Sequence, residues 1–515
     1  MKLWKVLLGI DYRLISGELD TEINNIICDS REEVSGGAFI CIQGYHGDGH
    51  EYIQEIAAKG ARAVIIENQS MVPQKLLQSL TVILVEDTKE VLAEMAANFY
   101  HNPAAKMITV GITGTKGKTT VVSMIRKILI ADHKRVGTIG TLGVWMPDDL
   151  EPVGIQNTTP GALEIQRYLS KMVEAGCQYV VMEVSSQGLK DKRVHGILFD
   201  YGIFTNIALD HIGPNEHKDF AEYLECKSRL FKQCRFGIIN FDDRHFYDII
   251  KGAACVIYTY GFSNGADLVG TMIEETGYQK REMLACDTQL AEKATERCNE
   301  HITSFETSGI EEERYEMKAV GAFSVYNGMS AILFSKLQGI PKPTVKEALK
   351  DFIVKGRMET VKVSDDFTVM IDYAHNANSM ENVLRSVRPY AKGRVISMFG
   401  CGGNRSRTRR FEMGEISGSL ADLSIITEDN SRWESPFDII NDILTGMKKT
   451  KGEYLVIPNR KDAIKYCLEH ARRGDIVLFL GKGHEIYQEI KGQKYEFDER
   501  KILKEMMEEL KEDGV

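Results

Sequence analysis

Met107-Ile108-Thr109-Val110-Gly111-Ile112-Thr113, running on into Gly114-Thr115-Lys116-Gly117-Lys118-Thr119-Thr120, is the stretch that decides the fold. Its first half is β-branched and apolar and reads as a short buried strand, its second half is a glycine-rich turn, and a helix sets in near Val121. Strand, glycine loop ending in Gly-Lys-Thr-Thr, and helix, in that order, form the context of a phosphate-binding loop. Backbone N–H groups and the helix N-terminus converge on a spot where phosphate oxygens fit. Lys118 adds a point charge there, and Thr119 a magnesium ligand. The general spacing would place glycine at position 112, where Ile112 stands. A plain glycine turn of an α/β domain is the alternative, and it has no need of the Gly-Lys-Thr-Thr end.

Outward from this loop, short β-branched runs alternate with amphipathic stretches, the pattern of parallel α/β sheets. Before it, strands are expected at Ala38–Ile42, Ala63–Ile66 and Val82–Val85, with helices at Tyr52–Lys59 and Glu90–Tyr100. Asn102-Pro103 marks a domain boundary. After it come strands near Tyr179–Val184, Tyr201–Thr205 and Phe236–Asn240. A polar stretch, Asp267–Glu313, follows and is expected to be a surface excursion. Next is a helix over Val325–Leu337, closed by Pro341-Lys342-Pro343. The last part alternates cleanly, with strands Thr368–Ile371, Arg394–Phe399, Leu423–Thr427, Tyr454–Ile457 and Asp475–Leu480. Its helices are Ser379–Tyr390, Phe411–Ser419, Pro436–Met447 and Arg460–Arg472. Five strands with four crossovers make a Rossmann-like sheet, whose ligands sit beyond the carboxyl ends of the strands. The expected fold class is therefore α/β with three domains: 1–102, a central P-loop ATPase-like domain 103–342, and a C-terminal Rossmann-like domain 343–515.

A chain of 515 residues has room for about three such domains. Hydrophobic residues at 43% and charged residues at 27% are ordinary for a globular protein, which excludes a mainly disordered chain. The net charge of −10 argues against duplex nucleic acid as a partner, because such proteins present a basic face. The ten cysteines include no C-x-x-C pair, so a zinc knuckle is not expected; they read as reduced thiols of a cytoplasmic protein. The apolar start, Leu3–Ile10, is too short for a signal peptide, and no stretch approaches the length of a membrane span.

Several strand ends carry polar groups where α/β sheets place their chemistry. They are Met182-Glu183-Val184-Ser185-Ser186-Gln187, Phe204-Thr205-Asn206-Ile207-Ala208-Leu209-Asp210-His211, and Asp372-Tyr373-Ala374-His375-Asn376. A carboxylate such as Glu183 can bind magnesium, although strand-end capping explains each residue taken singly. Phe399-Gly400-Cys401-Gly402-Gly403-Asn404-Arg405, with further arginines to Arg410, joins close backbone approach to guanidinium forks that suit carboxylate or phosphate. Gly481-Lys482-Gly483-His484-Glu485 caps the last strand in the same way.

Taken together the pieces resemble the Mur ligases of the MurE type, over nearly the whole chain. The motifs stand in family order: Asp29-Ser30-Arg31, Gly47-Asp48-Gly49-His50, the phosphate loop, Asn157-Thr158-Thr159-Pro160, Glu183-Val184-Ser185-Ser186 and Asp210-His211. Gly356-Arg357-Met358-Glu359, Asp372-Tyr373-Ala374-His375, the Gly-Cys-Gly-Gly loop and Gly481–Glu485 complete the series. The resemblance implies ATP and Mg2+, phosphorylation of a substrate carboxylate, and attack of an amine on the acyl phosphate. It places Lys118, Glu183, His211 and Lys227 in catalysis, and Thr119, Glu183, His211 and Lys227 at the metals. Lys227, in Glu225-Cys226-Lys227-Ser228, matches a lysine carried as a carbamate, an anionic oxygen ligand; without the resemblance it reads as helix surface. Gly114, Thr115, Lys116, Gly117, Lys118, Thr119, Thr120, Asn327, Arg357, Asp372 and His375 correspond to ATP contacts. Ser30 and His50 correspond to the uridine-diphosphate end, and Thr158, Thr159, Ser185 and Arg193 to the muramoyl dipeptide.

For the incoming amino acid the resemblance points to Arg405, Asp429, Asn430, Arg432, Gly481 and Glu485. Diaminopimelate adders show Asp-Asn-Pro-Arg; here Asp429-Asn430-Ser431-Arg432 has Ser in the Pro position and keeps the arginine. An arginine without a second carboxylate to bind would be desolvated with nothing to offset it, so meso-diaminopimelate is the expected substrate, with L-lysine or another diamino acid the alternative. Asn404, Ser406, Phe411 and Lys355 also depart from the family pattern. The implied partners are the UDP-muramoyl dipeptide, ATP and a diamino acid, with no nucleic acid, no membrane insertion and a monomeric chain. Folate polyglutamylation is disfavoured by the N-terminal Asp29-Ser30-Arg31 and Asp48-Gly49-His50. A non-catalytic nucleotide-binding relative is disfavoured by the joint presence of Lys118, Glu183, His211 and Lys227.

Overall fold

The computed structural model describes every residue except 45, 46, 150, 151, 156, 210, 211, 214, 215, 277–301, 319–321, 362, 365 and 513–515. It falls into two compact units. One is Met1–Gly270, Ser308–Glu312 and Tyr326–Ala348, and the other is Thr271–Thr307, Glu313–Val325 and Leu349–Val515.

The first unit opens with a five-stranded sheet of β1 (Arg13–Ser16), β2 (Ile26–Ile27), β3 (Ala38–Ile40), β4 (Ala63–Ile66) and β5 (Thr81–Leu84), in the order β1-β5-β4-β3-β2. Strands β2 to β5 run parallel and β1 antiparallel. Ala63-Val64-Ile65-Ile66 is buried at every position, as expected of a strand covered on both faces. The helix Thr88–Phe99 begins where Asp87 Oδ1 accepts from the N–H groups of Lys89 and Glu90.

The second sheet of this unit contains β6 (Ile108–Thr113), β7 (Val136–Gly140), β8 (Gly143–Trp145), β9 (Tyr179–Glu183), β10 (Phe199–Phe204), β11 (Cys234–Asn240) and β12 (Val256–Gly261). Their order is β12-β11-β10-β6-β9-β7-β8, parallel except for the β7–β8 hairpin. Beyond β12, β13 (Leu268–Thr276) pairs through Leu268 and Val269. The phosphate-loop strand β6 is thus central, with β9 on one side and β10 on the other. Register places Ile112 opposite Glu183 and Thr113 opposite Phe204, so the polar ends of three strands meet at one edge of the sheet.

In the second unit a six-stranded sheet holds β16 (Glu359–Val361), β17 (Thr368–Asp372), β18 (Val395–Phe399), β19 (Leu423–Ile426), β20 (Glu453–Val456) and β21 (Ile476–Leu480), in the order β16-β17-β21-β18-β19-β20. The five expected strands are present and parallel. The sixth, β16, is antiparallel and only three residues long, too short to show a period. Insertion of β21 between β17 and β18 puts Asp372, Phe399 and Leu480 side by side, which gathers the loops after them. Apolar clusters cover both faces of this sheet. A further hairpin, β22 (Tyr487–Ile490) and β23 (Gln493–Glu496), follows the last parallel strand.

The expected surface excursion over 267–313 is corrected. It holds β13 and β14 (Ile302–Gly309), the latter paired antiparallel with β15 (Glu313–Met317). Alternation is present there in a polar alphabet: Tyr315 and Met317 are buried while Arg314 and Glu316 face outward, and the Phe305 and Tyr315 rings stack at 5.7 Å. Expected residues 277–301 of that stretch lie outside the described ones. The eight described cysteines are all thiols, and no described helix is long and apolar enough to cross a membrane.

Candidate functional site

Gly117 precedes the helix Lys118–Ala131 with φ +85°, a left-handed conformation that glycine adopts without penalty. A Cβ at Gly117 would strike Asn327 Oδ1, and one at Gly114 would strike Thr205 Oγ1. Both glycines therefore permit close packing, and Asn327, on the helix Ala322–Leu337, is brought against the phosphate loop. The loop is held from β10: the Thr115 N–H donates to Asn206 O at 2.8 Å, the Lys116 N–H to Asn206 Oδ1 at 3.0 Å, and Thr205 Oγ1 to Lys116 O at 2.6 Å. Lys118 Nζ folds over the loop onto the carbonyls of Gly114 (2.8 Å) and Thr115 (3.2 Å).

Glu183, 1% exposed at the end of β9, is surrounded by donors. Its Oε1 accepts from Thr119 Oγ1 (2.9 Å) and the Thr141 N–H (2.8 Å), and its Oε2 from Thr141 Oγ1 (3.2 Å). Lys227 is also 1% exposed, on the helix Phe220–Ser228, so it is not the surface residue its sequence context suggests. Its Nζ donates to Gly114 O at 2.8 Å and lies 4.6 Å from the centre of the Tyr223 ring, whose hydroxyl meets Thr115 Oγ1 at 2.9 Å. A cavity of about 200 Å³ is lined by Lys118, Ser185, Gln187, Glu216, His217 and Lys227. Two lysines on one small cavity favour an anionic occupant. His211 and Asp210 lie outside the described residues. Among the described residues no three His, Cys, Asp or Glu side chains cluster as a preformed metal site. A buried carboxylate beside the Thr119 hydroxyl fits magnesium, which takes one or two protein oxygens and completes its shell with phosphates and water.

The four dipeptide candidates form one hydrogen-bonded edge next to Glu183. Thr158 Oγ1 meets Thr141 Oγ1 at 3.1 Å, Thr159 Oγ1 donates to Glu183 O at 2.9 Å, and the Ser185 N–H donates to Thr159 Oγ1 at 2.9 Å. Arg193 Nη1 donates to Thr159 O at 2.9 Å, while its Nη2 pairs with Asp191 at 2.8 Å. Ser30 and His50 follow the parallel neighbours β2 and β3, at the same end of the first sheet. The His50 ring is occupied on both nitrogens, by Asp48 Oδ1 at 2.6 Å and by the Glu67 N–H at 3.0 Å, so it pins its loop to the sheet.

In the second unit Asp372 ends β17 and accepts from the Met358 N–H at 2.7 Å. Arg357 lies 5.0 Å over the Tyr373 ring, which also touches His375 and His484 at 4.6 and 4.8 Å between centroids. Burial, and then the charges of Arg357, Arg500 and Lys355, push the His484 imidazole down to about 4. The loops after β18, β19 and β21 converge. Asn430 Nδ2 donates to Glu485 Oε2 at 2.8 Å, and Lys482 Nζ, fully buried, lies 3.3 Å from Glu485 and 3.5 Å from Asp429. Burial opposes ionisation of Asp429, but Lys482 and Arg460 outweigh it and its pKa falls; burial and then Asp429 raise that of Glu485. A Cβ on Gly481 would stand 2.8 Å from Asp429 Oδ2. Arg432 Nη1 donates to Gly403 O at 2.8 Å and its Nε to Glu489 Oε2 at 3.1 Å.

The basic run 405–410 divides. Arg407 and Arg410 both pair with Asp442, and Arg410 also with Glu434, so these two tie down the helix Arg407–Leu420. That helix starts four residues before the expected Phe411 because these carboxylates neutralise the cations of its first turn, where the helix dipole disfavours them. Arg405, in the loop ahead of that helix, is exposed.

Three family models match in succession. They are Mur ligase family, catalytic domain, over residues 22–100; Mur ligase middle domain over 112–335; and Mur ligase, glutamate ligase domain, over 356–483. The chain is 39% identical over 513 residues to UDP-N-acetylmuramoyl-L-alanyl-D-glutamate–2,6-diaminopimelate ligase 1 of Clostridium acetobutylicum, covering 99% of this chain and 100% of that one. The chain belongs to the Mur ligase family. A second Mur ligase, the corresponding 2,6-diaminopimelate ligase of Clostridioides difficile, is 37% identical over 515 residues, 99% of this chain and 100% of the relative. A solved structure of a UDP-N-acetylmuramoyl-L-alanyl-D-glutamate–2,6-diaminopimelate ligase superposes with a TM-score of 0.67 at 25% identity, over 99% of both chains. The three-domain Mur ligase fold follows from these matches.

Other parts of this Mur ligase's site were not legible in its sequence. Thr141, which grips both oxygens of Glu183, follows a glycine in an unremarked strand end. Tyr223 lies under Lys227 because both sit on one helix face, four residues apart. His217 lines the cavity from a polar loop without periodicity, and Glu489 carries no motif at all.

Proposed function

We propose that this Mur ligase joins meso-diaminopimelate to UDP-N-acetylmuramoyl-L-alanyl-D-glutamate, with ATP forming an acyl phosphate on the glutamate carboxylate, in peptidoglycan synthesis. The observation that carries the reading is the convergence of Lys118, Thr119, Glu183 and Lys227 at the carboxyl ends of β6, β9 and the neighbouring helix. It is supported by full-length relatives named for this reaction. We read the domains as 1–102, 103–342 and 343–515.

Magnesium would be held by Thr119 and Glu183, with His211 and a carbamylated Lys227 as further ligands, and would neutralise charge on the transferring phosphoryl group. Around it, the N–H groups of Lys118, Thr119 and Thr120 at the helix N-terminus and the Lys118 side chain orient the phosphates, so the reaction gains chiefly from positioning and electrostatics. Three donors face the buried Glu183 carboxylate, which holds its oxygens still. Lys227, buried against Gly114 O and Tyr223, would become the carbamate by adding CO2 to its neutral amine with release of a proton. Asn327, packed against the loop, is read as a nucleotide contact, and so are Arg357, Asp372 and His375. Ser30 and His50 serve the uridine-diphosphate end, the latter by holding its loop; Thr158, Thr159, Ser185 and Arg193 face the dipeptide. Asn430, Arg432, Gly481 and Glu485, with Arg405 and Asp429, receive the amino acid, Glu485 facing an ammonium and Arg432 a carboxylate.

The test is phosphate release from ATP with Mg2+ and the UDP-muramoyl dipeptide, comparing meso-diaminopimelate, L-lysine and ornithine. Release with diaminopimelate above the others is expected. Equal silence with all three would refute the ligase reading, and preference for lysine would refute the assignment of Arg432.

A further inference from the structure

Arg432 is held by more than its side chain. Its φ is +51°, a strained value for a residue with a Cβ. Its N–H donates to Glu489 O at 3.0 Å, while its carbonyl accepts from the Lys491 N–H at 2.7 Å. Both bonds fasten it to the end of β22, where it bridges Ile490 in parallel. On the side chain, Nε donates to Glu489 Oε2 at 3.1 Å and Nη1 to Gly403 O at 2.8 Å. Three of the five guanidinium N–H bonds thus remain for a ligand, from a group that already has a counter-ion. The two side chains are 22% and 24% exposed, so their interaction is only partly screened by water. The same glutamate reaches the opposite arm of the pocket: its N–H donates to Asn430 Oδ1 at 2.8 Å, and Asn430 Nδ2 donates to Glu485 Oε2 at 2.8 Å.

We propose that Glu489 is a specificity-determining residue, an internal counter-ion that neutralises Arg432 and so flattens the discrimination between diaminopimelate and diamino acids without a distal carboxylate. The inference rests on the reading of Arg432 given above. A bare guanidinium in such a pocket is stranded when lysine binds, which penalises lysine; a guanidinium paired to Glu489 is not. The same carboxylate repels the distal carboxylate of diaminopimelate, which weakens the proper substrate. Glu489 thus acts on both sides of the ratio in one direction.

Glu489→Gln keeps the shape and an acceptor for Arg432 Nε while removing the charge; Glu489→Asp keeps the charge. With the full chain, kcat and KM are measured for meso-diaminopimelate and for L-lysine at saturating ATP and UDP-muramoyl dipeptide, together with Tm. Glu489→Gln should raise the ratio of kcat/KM for diaminopimelate over lysine by about tenfold, through KM for the amino acid, with KM for ATP unchanged. Glu489→Asp should leave the ratio within about threefold of wild type. Improved use of diaminopimelate is an outcome that damage to the scaffold does not produce. An unchanged or lower ratio in Glu489→Gln, at wild-type Tm, would overturn the inference and leave the ligase reading standing. A wild-type chain inactive with both amino acids would overturn the ligase reading and this inference with it.

Discussion

Replacing Glu183 by Gln separates the chemistry of the site from its scaffolding. Oε1 receives the Thr119 hydroxyl and the Thr141 N–H, so the amide oxygen of Gln can take that place. The amide nitrogen then faces Thr141 Oγ1, which can accept because its own proton can turn to Thr158 Oγ1, 3.1 Å away. All the bonds survive, one of them reversed in direction, and a charge at a 1% exposed position disappears. Stability should therefore change by no more than about 1 kcal/mol. Catalysis should not be spared if, as proposed, the lost negative charge would hold magnesium. A fall in kcat of about 10²–10³, or about 3–4 kcal/mol, is expected from the size of comparable electrostatic losses. Urea unfolding and phosphate release as a function of Mg2+ measure the two sides independently. Activity within threefold of wild type at ordinary Mg2+ would refute the metal assignment. A loss of several kcal/mol in stability would show that Glu183 is needed chiefly to hold the strand ends.

Other consequences can be measured on the same protein. The folded His484 pKa of about 4 lies below its unfolded value of about 6.5, so this residue contributes about 3 kcal/mol above pH 6.5, lost as pH falls from 6.5 towards 4. Between pH 7 and 4.5, urea unfolding of wild type should lose about 2–3 kcal/mol more than His484→Phe; parallel losses would contradict the burial argument. Gly117→Ala places a Cβ against Asn327 at φ +85° and should cost about 1–2 kcal/mol in backbone strain, with at least about a tenfold rise in KM for ATP; an unchanged KM would separate Asn327 and the loop from nucleotide binding. If Lys227 works as a carbamate, activity should fall in buffer stripped of CO2 and return with bicarbonate, whereas Lys227→Met should stay inactive under both conditions; indifference of wild type to bicarbonate would remove the carbamate.

What could be read from the sequence was local. The phosphate loop is legible because its glycines, its lysine and the helix dipole behind it belong to one continuous run of backbone, Ile108–Ala131, and the parallel strands around it because short, mostly buried apolar runs such as Tyr179–Glu183 and Phe199–Phe204 have few other uses. Strands β14 and β15 are hard to read because their buried positions mix Thr303, Ser304 and Thr307 with Phe305, Tyr315 and Met317, beside charged residues. The first turn of the helix at Arg407 is not legible in the sequence, because its arginines are neutralised by Asp442 and Glu434, 35 and 24 residues away in the chain.

Its strand-end position singles out Glu183, and the resemblance Lys227 and Arg432, but the surroundings of all three depend on partners distant in the chain. Glu183 is gripped through Thr141, 42 residues before it, and Lys227 meets Gly114 across 113 residues. Arg432 acquires Glu489 only because β22 returns beside the loop after β19. The composition and order of residues thus determined which chemistries this protein can carry. Strand register and loop convergence decided which charges are buried, paired and aimed, because desolvation and Coulomb energies depend on separation in space, and contiguous sequence does not encode it.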